Sequence, residues 1–332
     1  MQLAMELSDR IYVAGHRGLV GSALTRRLQA LGYRNLILRT HDELELLDGA
    51  AVRAFFERER PQHVFLAAAK AGGIWANNAY PADFIHKNIA IQTNVIHEAW
   101  RAGVSRLLFL GSSCIYPRDC PQPIKESYLL TGPLEPTNRP YAVAKIAGIE
   151  MCWGYNRQHG TAFLSAMPTN LYGPGDNYDL ATSHVIPALI RKMHEARLAG
   201  AEAVSVWGSG APLREFLHAD DVADACVYLM NLDEARYQGL CHDATSPPLV
   251  NVGSGTDQSI AELARVIAGV VGFTGRLEFD RSKPDGTPRK LMDSSLLRSL
   301  GWQPRISLAQ GITDAYANFM RESARVPVQA AR

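Results

Sequence analysis

The sequence predicts an α/β protein, a Rossmann-type doubly wound parallel sheet with a smaller C-terminal α/β lobe. Three observations carry that expectation. Short apolar strands alternate with helical patterns through the first half. A glycine-rich turn stands where the first strand meets the first helix. After about Gly173 the alternation loosens into loops rich in Gly, Pro and Asp.

The strands are expected at Ile11–Ala14, Asn35–Leu38, His63–Ala67, Arg106–Leu110 and Ala162–Met167. Each is a short apolar run of the kind a parallel sheet buries on both faces. Between them Val20–Leu31, Gly49–Glu59, Pro81–Ala102 and Pro140–His159 place apolar residues at helical spacing, with Pro140 suited to a first helical turn. Alternating strand and helix implies parallel strands covered on both faces. Further elements recur at Val185–Ala199, Asp220–Leu232, Leu249–Val252 and Ser259–Val271. The expected division is residues 1–173 as a cofactor-binding domain and 174–324 as mainly a substrate-facing lobe, some of whose elements return to the first sheet. A tail, 325–332, carries no clear periodicity.

Composition narrows the class. Of 332 residues, 47% are hydrophobic and 20% charged, and 34 basic against 33 acidic side chains leave a net charge of +1. That balance argues against a nucleic-acid tail or a polybasic membrane patch. Cys114, Cys120, Cys152, Cys226 and Cys241 are odd in number and form no CxxC pair, which disfavours a disulfide scaffold or a zinc site. Residues 1–10 contain charges and no long apolar core, unlike a signal peptide, and no run approaches a membrane span. A cytoplasmic protein is expected, with no metal.

Gly15-His16-Arg17-Gly18-Leu19-Val20-Gly21 follows the first strand and opens a helix. Glycines there permit a tight turn and let backbone approach a pyrophosphate, while the helix N-terminus offers free N–H groups. The spacing is GxxGxxG, which a plain strand–helix turn without ligand could also show. The second strand runs into Leu38-Arg39-Thr40-His41, where NAD enzymes usually place an acid for the ribose hydroxyl. Arg39, with Arg17 converging from the loop, suits a 2′-phosphate instead. Two solvated surface arginines are the plain alternative.

Tyr141 and Lys145 stand four apart on a helix, hence on one face. An ammonium beside a phenol is expected to lower its pKa from about 10 toward neutrality, making a proton donor for an alkoxide. The strand Arg106–Leu110 runs into Gly111-Ser112-Ser113-Cys114, at the strand end where open α/β sheets bind ligands. Ser112 is placed to polarise a carbonyl, Ser113 to make a local turn contact. Cys114 is either a small buried thiol or a group beside the reacting carbon.

Taken together, AGHRGLVGSA, AAAKAGGIWANN, GSSCIYP, EPTNRPYAVAKIAG, MPTNLYGPGDN, SHVIPALIRK, VWGSGAPLREFLHADD and KPDGTPRK resemble the extended short-chain dehydrogenase/reductases, and within them the GDP-L-fucose synthase family. The matching segments run from Ala14 to Lys290. The resemblance implies epimerisation of GDP-4-keto-6-deoxy-D-mannose at C3 and C5, then NADPH reduction at C4. It implies Cys114 as base and His184 as acid, with Ser112, Tyr141 and Lys145 serving both steps. NADP(H) contacts are implied along Gly15–Gly21, at Arg39, Leu110, Gly111, Ser112, Ser113, Lys145, Pro168, Thr169, Asn170, Leu171 and His184. Lys192, Trp207, Arg214, Asp285 and Lys290 match positions near the nucleotide-sugar, Arg214 suiting a diphosphate by paired hydrogen bonds. His41 departs from the family, which often has an arginine there. Read without the resemblance, His184 is a surface histidine capping a helix, and Lys290 a solvated charge. A homodimer is also implied, for which Pro81–Ala102 and Tyr141–Tyr155 could supply the helices.

Three other readings stay open. An NAD-retaining 4-epimerase would share Tyr141, Lys145 and the loop but would favour an acid near Arg39. A related GDP-4-keto-sugar enzyme acting on a dideoxy sugar or a heptose differs only in pocket detail. A non-catalytic NADP sensor on the same fold is the third.

Overall fold

The structure, a computed structural model, describes residues 5–283 and 285–325. The first half builds β1 (Ile11–Ala14), α1 (Leu19–Ala30), β2 (Leu36–Ile37), α2 (Gly49–Glu59), β3 (His63–Leu66), α3 (Ile74–Ala79), α4 (Pro81–Arg101), β4 (Arg106–Leu110), α5 (Arg139–His159), β5 (Phe163–Pro168) and β6 (Asn170–Tyr172). There follow α6 (Val185–Leu198), β7 (Ala203–Trp207), β8 (Leu213–His218), α7 (Ala219–Met230), α8 (Glu234–Cys241) and β9 (Leu249–Val252). The chain ends with β10 (Asp257–Ser259), α9 (Ile260–Val271), β11 (Arg276–Asp280), β12 (Arg289–Lys290), α10 (Ser295–Ser299) and α11 (Leu308–Arg325).

Six strands form one parallel sheet in the order β2-β1-β3-β4-β5-β9. Period-two alternation sorts its side chains. Ile11 and Val13 pack with α1, α7 and α8 on one face, while Tyr12 and Ala14 pack with α2, α4 and α5 on the other. Both faces being apolar, the strands read as continuous hydrophobic runs, and the doubly wound parallel sheet is as expected. A second sheet runs β10-β8-β12 with β6 also on β8, and β11 pairs with β7. Its core is shared by α6, α9 and α11.

Local chemistry explains the element ends. Asp48 caps α2 by accepting from the N–H groups of Ala50 and Ala51 at 2.9 and 3.1 Å. Ser259 and Glu262 form a reciprocal capping box at α9. The second strand is shorter than expected because only Leu36 and Ile37 pair with β1 at the sheet edge. No sequence expectation covered α11, although Leu308, Ile312, Ala315 and Phe319 recur at helical spacing and pack into one core. Of the expected tail, residues 326–332 lie outside the described residues. Among the described residues no helix is long and apolar enough to cross a membrane.

The β1–α1 turn is tightly specified. Gly15 has φ +81°, and a Cβ there would stand 2.8 Å from Ala68 backbone. A Cβ on Gly21 would fall 2.0 Å from the Gly15 carbonyl oxygen. Gly21→Ala therefore must push α1 away from its own loop. It is expected to destabilise the fold by about 1–3 kcal/mol. Urea denaturation checks this, and an unchanged midpoint would mean that the turn yields freely.

Candidate active site

The C-terminal end of β4 organises the site. Gly111 is there because a Cβ would lie 2.1 Å from the Met167 methyl on β5. Ser112 then has extended backbone and starts a 3-10 turn, its Oγ accepting weakly from the Cys114 N–H at 3.4 Å. Ser113 and Cys114 are buried within that turn. Opposite stands the first turn of α5, which Gly148 lets press against β4, a Cβ at 148 falling 2.5 Å from the Phe109 ring. Tyr141 and Lys145 thus face the strand end.

Lys145 donates its ammonium to the Leu110 carbonyl at 2.7 Å and lies 4.7 Å from the Phe109 ring centre. Burial pushes its pKa down to about 8, opposed by the Cys114 sulfur. Tyr141 stacks edge-on against Phe84 at 5.9 Å, and its ring centre is 5.8 Å from the Lys145 ammonium. The expected depression of the Tyr141 pKa is corrected here. Burial raises it above the ordinary tyrosine range, Cys114 adds to the rise, and a hydrogen bond with Ser112 opposes it. The ammonium is spent on a backbone carbonyl, so desolvation wins. The Cys114 thiol is likewise raised by burial, with Lys290 the largest opposing influence, ahead of Ser112 and Lys145. Ser112, Cys114, Tyr141 and Lys145 are therefore one cluster.

His184 does not join it by contact. It occupies the N-cap position of α6, yet its side chain caps nothing, against the helix-capping alternative. The residue is exposed, and desolvation by the protein around it lowers its pKa. Asp179 accepts from the N–H groups of Ala181 and Thr182, both at 3.0 Å, shaping the loop before it. The Thr182 carbonyl then accepts from Gly73 N–H at 3.1 Å, fastening this loop to the turn that begins α3.

The glycine loop fits a dinucleotide. Gly18 sits at the N-cap of α1 with no side-chain cap, so the first-turn N–H groups around Leu19 and Val20 face outward. The buried Nδ1 of His16 has no partner. Arg17 and Arg39 both act on Glu43, whose carboxylate accepts from Thr40 N–H and hydroxyl at 2.8 and 2.9 Å. Arg39 is also engaged with Glu59 at 2.8 Å and its own neighbour's carbonyl, Leu38, at 2.8 Å. His41 is exposed and pairs with Glu45 at 2.8 Å. At the β5–β6 junction, Thr169 and Asn170, between Pro168 and Leu171, donate to the Glu215 carbonyl at 3.2 and 2.8 Å.

In the second lobe, Trp207 is 60% exposed. Lys192 and Lys283 stand 5.2 and 5.6 Å from its ring. Asp285 accepts from Ser209 N–H and hydroxyl at 2.6 and 2.8 Å. Arg214 is paired in register with Lys290 across β8 and β12.

Several site-building residues escaped sequence reasoning. Asn88 clamps Lys70, accepting from its N–H and donating to its carbonyl, both at 3.0 Å. Asn251 donates to the carbonyls of Ile124 and Asp293 and accepts from Tyr116 hydroxyl at 2.6 Å. Glu215, fully buried, accepts from the N–H groups of Gly255 and Met292 at 2.6 and 2.9 Å. Nothing local marked Glu215, because Leu213–His218 also carries Arg214 and His218.

Fold and cluster together define a nicotinamide-dependent enzyme of the extended short-chain dehydrogenase/reductase type. Residues 11–240 match the NAD dependent epimerase/dehydratase family. GDP-L-fucose synthase 1 of Arabidopsis thaliana is 59% identical over 95% of this chain and 94% of its own length. GDP-L-fucose synthase of Escherichia coli K12 is 55% identical over 96% of this chain and 98% of its own. A GDP-mannoheptose C4 reductase from Campylobacter jejuni, solved with NADP bound, superposes with a TM-score of 0.85 at 40% identity, covering 95% of this chain and 99% of that one. The chain belongs to the NAD dependent epimerase/dehydratase family and, within it, to the GDP-L-fucose synthases.

Glu215 generates a pH prediction. Burial raises its pKa, opposed by the N–H groups of Met292 and Gly255 and the hydroxyls of Thr169 and Ser254. A carboxyl with a raised folded pKa contributes stability below its unfolded pKa and loses it as pH rises through the folded value. The stability advantage of wild type over Glu215→Gln should therefore shrink from about pH 4.3 toward neutrality. Urea midpoints across that range test it, and a gap independent of pH would refute it.

Proposed function

We propose that the chain converts GDP-4-keto-6-deoxy-D-mannose to GDP-L-fucose by epimerisation at C3 and C5 and NADPH-dependent reduction at C4. The observation carrying the reading is the cluster of Ser112, Cys114, Tyr141 and Lys145 at the end of β4, which holds both a carbon base and a carbonyl proton donor. The names of the relatives support the sugar. The heptose reductase among the structural neighbours keeps a related GDP-4-keto sugar as the alternative substrate.

In this reading Ser112 and Tyr141 hydrogen-bond the C4 carbonyl oxygen. Cys114 removes the proton from the adjacent carbon, and the electron pair moves onto that oxygen. His184, brought up by the sugar from the other side, returns a proton to the opposite face. Desolvation disfavours its charged form, so the proton it returns comes from solvent, drawn onto the imidazole by the negative charge of the intermediate. The chemistry that bound NADPH would supply is a hydride for C4, and Tyr141 would protonate the resulting alkoxide. Lys145 and the β4 end from Leu110 to Ser113 orient the nicotinamide ribose, with Pro168–Leu171 closing the other side. Residues 1–173 hold the cofactor and 174–324 mainly the nucleotide-sugar: Trp207 and Lys192 take the base, Arg214 the diphosphate and Asp285 a hydroxyl, with Lys290 beside the sugar. The exposed Ile89 on α4 and Val143 on α5 support a homodimer through those helices. Five free cysteines favour a cytoplasmic setting.

Arg39 and Arg17 select NADPH over NADH by pairing with the 2′-phosphate. Fluorescence titration should give tighter binding of NADPH in wild type and little preference in Arg39→Ala. Equal affinities in the wild type would remove the argument.

Reduction and epimerisation should separate by mutation. Tyr141→Phe should lower the reduction rate by about a hundred- to ten-thousandfold while retaining cofactor binding. Cys114→Ser should instead abolish deuterium incorporation from heavy water at C3 and C5, because an alcohol is a far weaker acid than a thiol. NMR of the sugar decides between them: wild-type exchange in Cys114→Ser would leave the thiol a packing residue.

A further inference from the structure

The cations around Cys114 divide into those already engaged and one that is not. Arg118 pairs with Glu135 at 3.5 Å, and Arg289 grips both oxygens of Asp257 at 2.6 and 3.2 Å. Lys145 is committed to the Leu110 carbonyl. The Lys290 side-chain nitrogen makes no hydrogen bond or ion pair with any described residue, and lines the same small cavity as Cys114. The buried Oδ1 of Asn138, which has no partner, belongs to that cavity too.

The backbone around Lys290 is held on both sides. Lys290 is in register with Arg214 on β8. Next to it, Leu291 donates its N–H to Gln122 Oε1 at 2.8 Å, and its carbonyl accepts from Ile124 N–H at 2.7 Å. Met292 donates to the buried Glu215. Three segments distant in sequence are thereby tied so that a lysine faces the turn carrying Cys114. A surface charge would need no such arrangement.

We propose that Lys290 is a positioning residue for the carbon base: its amine accepts the Cys114 proton, and the ammonium so formed holds the thiolate across the cavity. The inference rests on the reading of Cys114 as base. The proton leaves sulfur for Nζ. The thiolate then takes the proton from the sugar carbon next to the carbonyl, and that carbon's electron pair moves onto the carbonyl oxygen. Cys114 is then a thiol again and Lys290 an ammonium, and release of one proton from Nζ to solvent returns the amine for the next round. Every charged group facing the pair enters the balance. Cys114, Cys120 and Glu135 favour the ammonium, and Arg214 opposes it. On the Cys114 side, Lys290 and Lys145 favour the thiolate, while the Tyr141 phenol is near enough to feel its charge.

The test compares wild type, Lys290→Met, Lys290→Gln, Lys290→Arg and Cys114→Ser. Two quantities are read against pH: alkylation of Cys114 by iodoacetamide, resolved by peptide mass spectrometry, and deuterium exchange at sugar C3 and C5 in the presence of NADP. In Lys290→Met and Lys290→Gln the alkylation midpoint should rise by at least about one pH unit, with roughly tenfold slower exchange at neutral pH. Lys290→Arg should keep a lowered midpoint because its charge persists, although it cannot take the proton. NADPH binding reports that the variants are folded. A wild-type alkylation midpoint in a folded Met or Gln variant overturns the proposal and leaves Lys290 a contact of the nucleotide-sugar alone. Wild-type exchange in Cys114→Ser sinks the base reading itself, whatever Lys290 does.

Discussion

A buried ammonium bonded to the last carbonyl of β4 is the interaction on which the site depends. Among the described residues Lys145 has no carboxylate partner, so its charge is balanced by the Leu110 carbonyl and the face of Phe109. That contact fixes α5 against β4, and with it the position of Tyr141 relative to Ser112. Gly148 and Gly111 exist on the same account, each removing a Cβ from a contact that closes the helix or the neighbouring strand onto β4. Loss of the contact would leave a buried cation unpaired, which is far costlier than the bond itself is favourable.

A second constraint comes from the other lobe. Glu215 and Asn251 are buried polar side chains that bond mainly to backbone groups of distant segments. Gly253 stands where a Cβ would fall 2.4 Å from Glu215 Oε1, so the loop after β9 is shaped around this carboxylate. Backbone N–H groups satisfied this way cannot be met by water without opening the core. The two residues join β8, β9 and the segment after β12 to the turn that follows β4. Groups assigned to sugar and to cofactor thereby share one rigid frame.

Much of this was legible in the sequence. Continuous apolar strands and the GxxGxxG turn specify the parallel sheet because burial on both faces and a close backbone approach leave few other residue choices. The four-residue spacing of Tyr141 and Lys145 likewise survives into space. What was not legible depends on tertiary neighbours. The Tyr141 pKa direction came out opposite because where Lys145 points is decided by a carbonyl on another element. Asn88, Asn251 and Glu215 act on backbone far along the chain, and local patterns do not encode that. Helix α11 was available to periodicity but followed a stretch of weak pattern.

The pairing of Arg39 with Glu59 changes what the proposed recognition of a phosphate would mean. The guanidinium is not waiting in water for an anion; it already has one, held by the end of α2. A phosphate arriving at Arg39 replaces a carboxylate instead of adding a bond, so the gain is the difference between two charge-assisted contacts. Displaced Glu59 keeps Arg58 at 3.0 Å, which softens the loss. Such an exchange tells one anion from another without making attachment tight. In the function proposed above, that suits a carrier which must depart, oxidised, after every turnover.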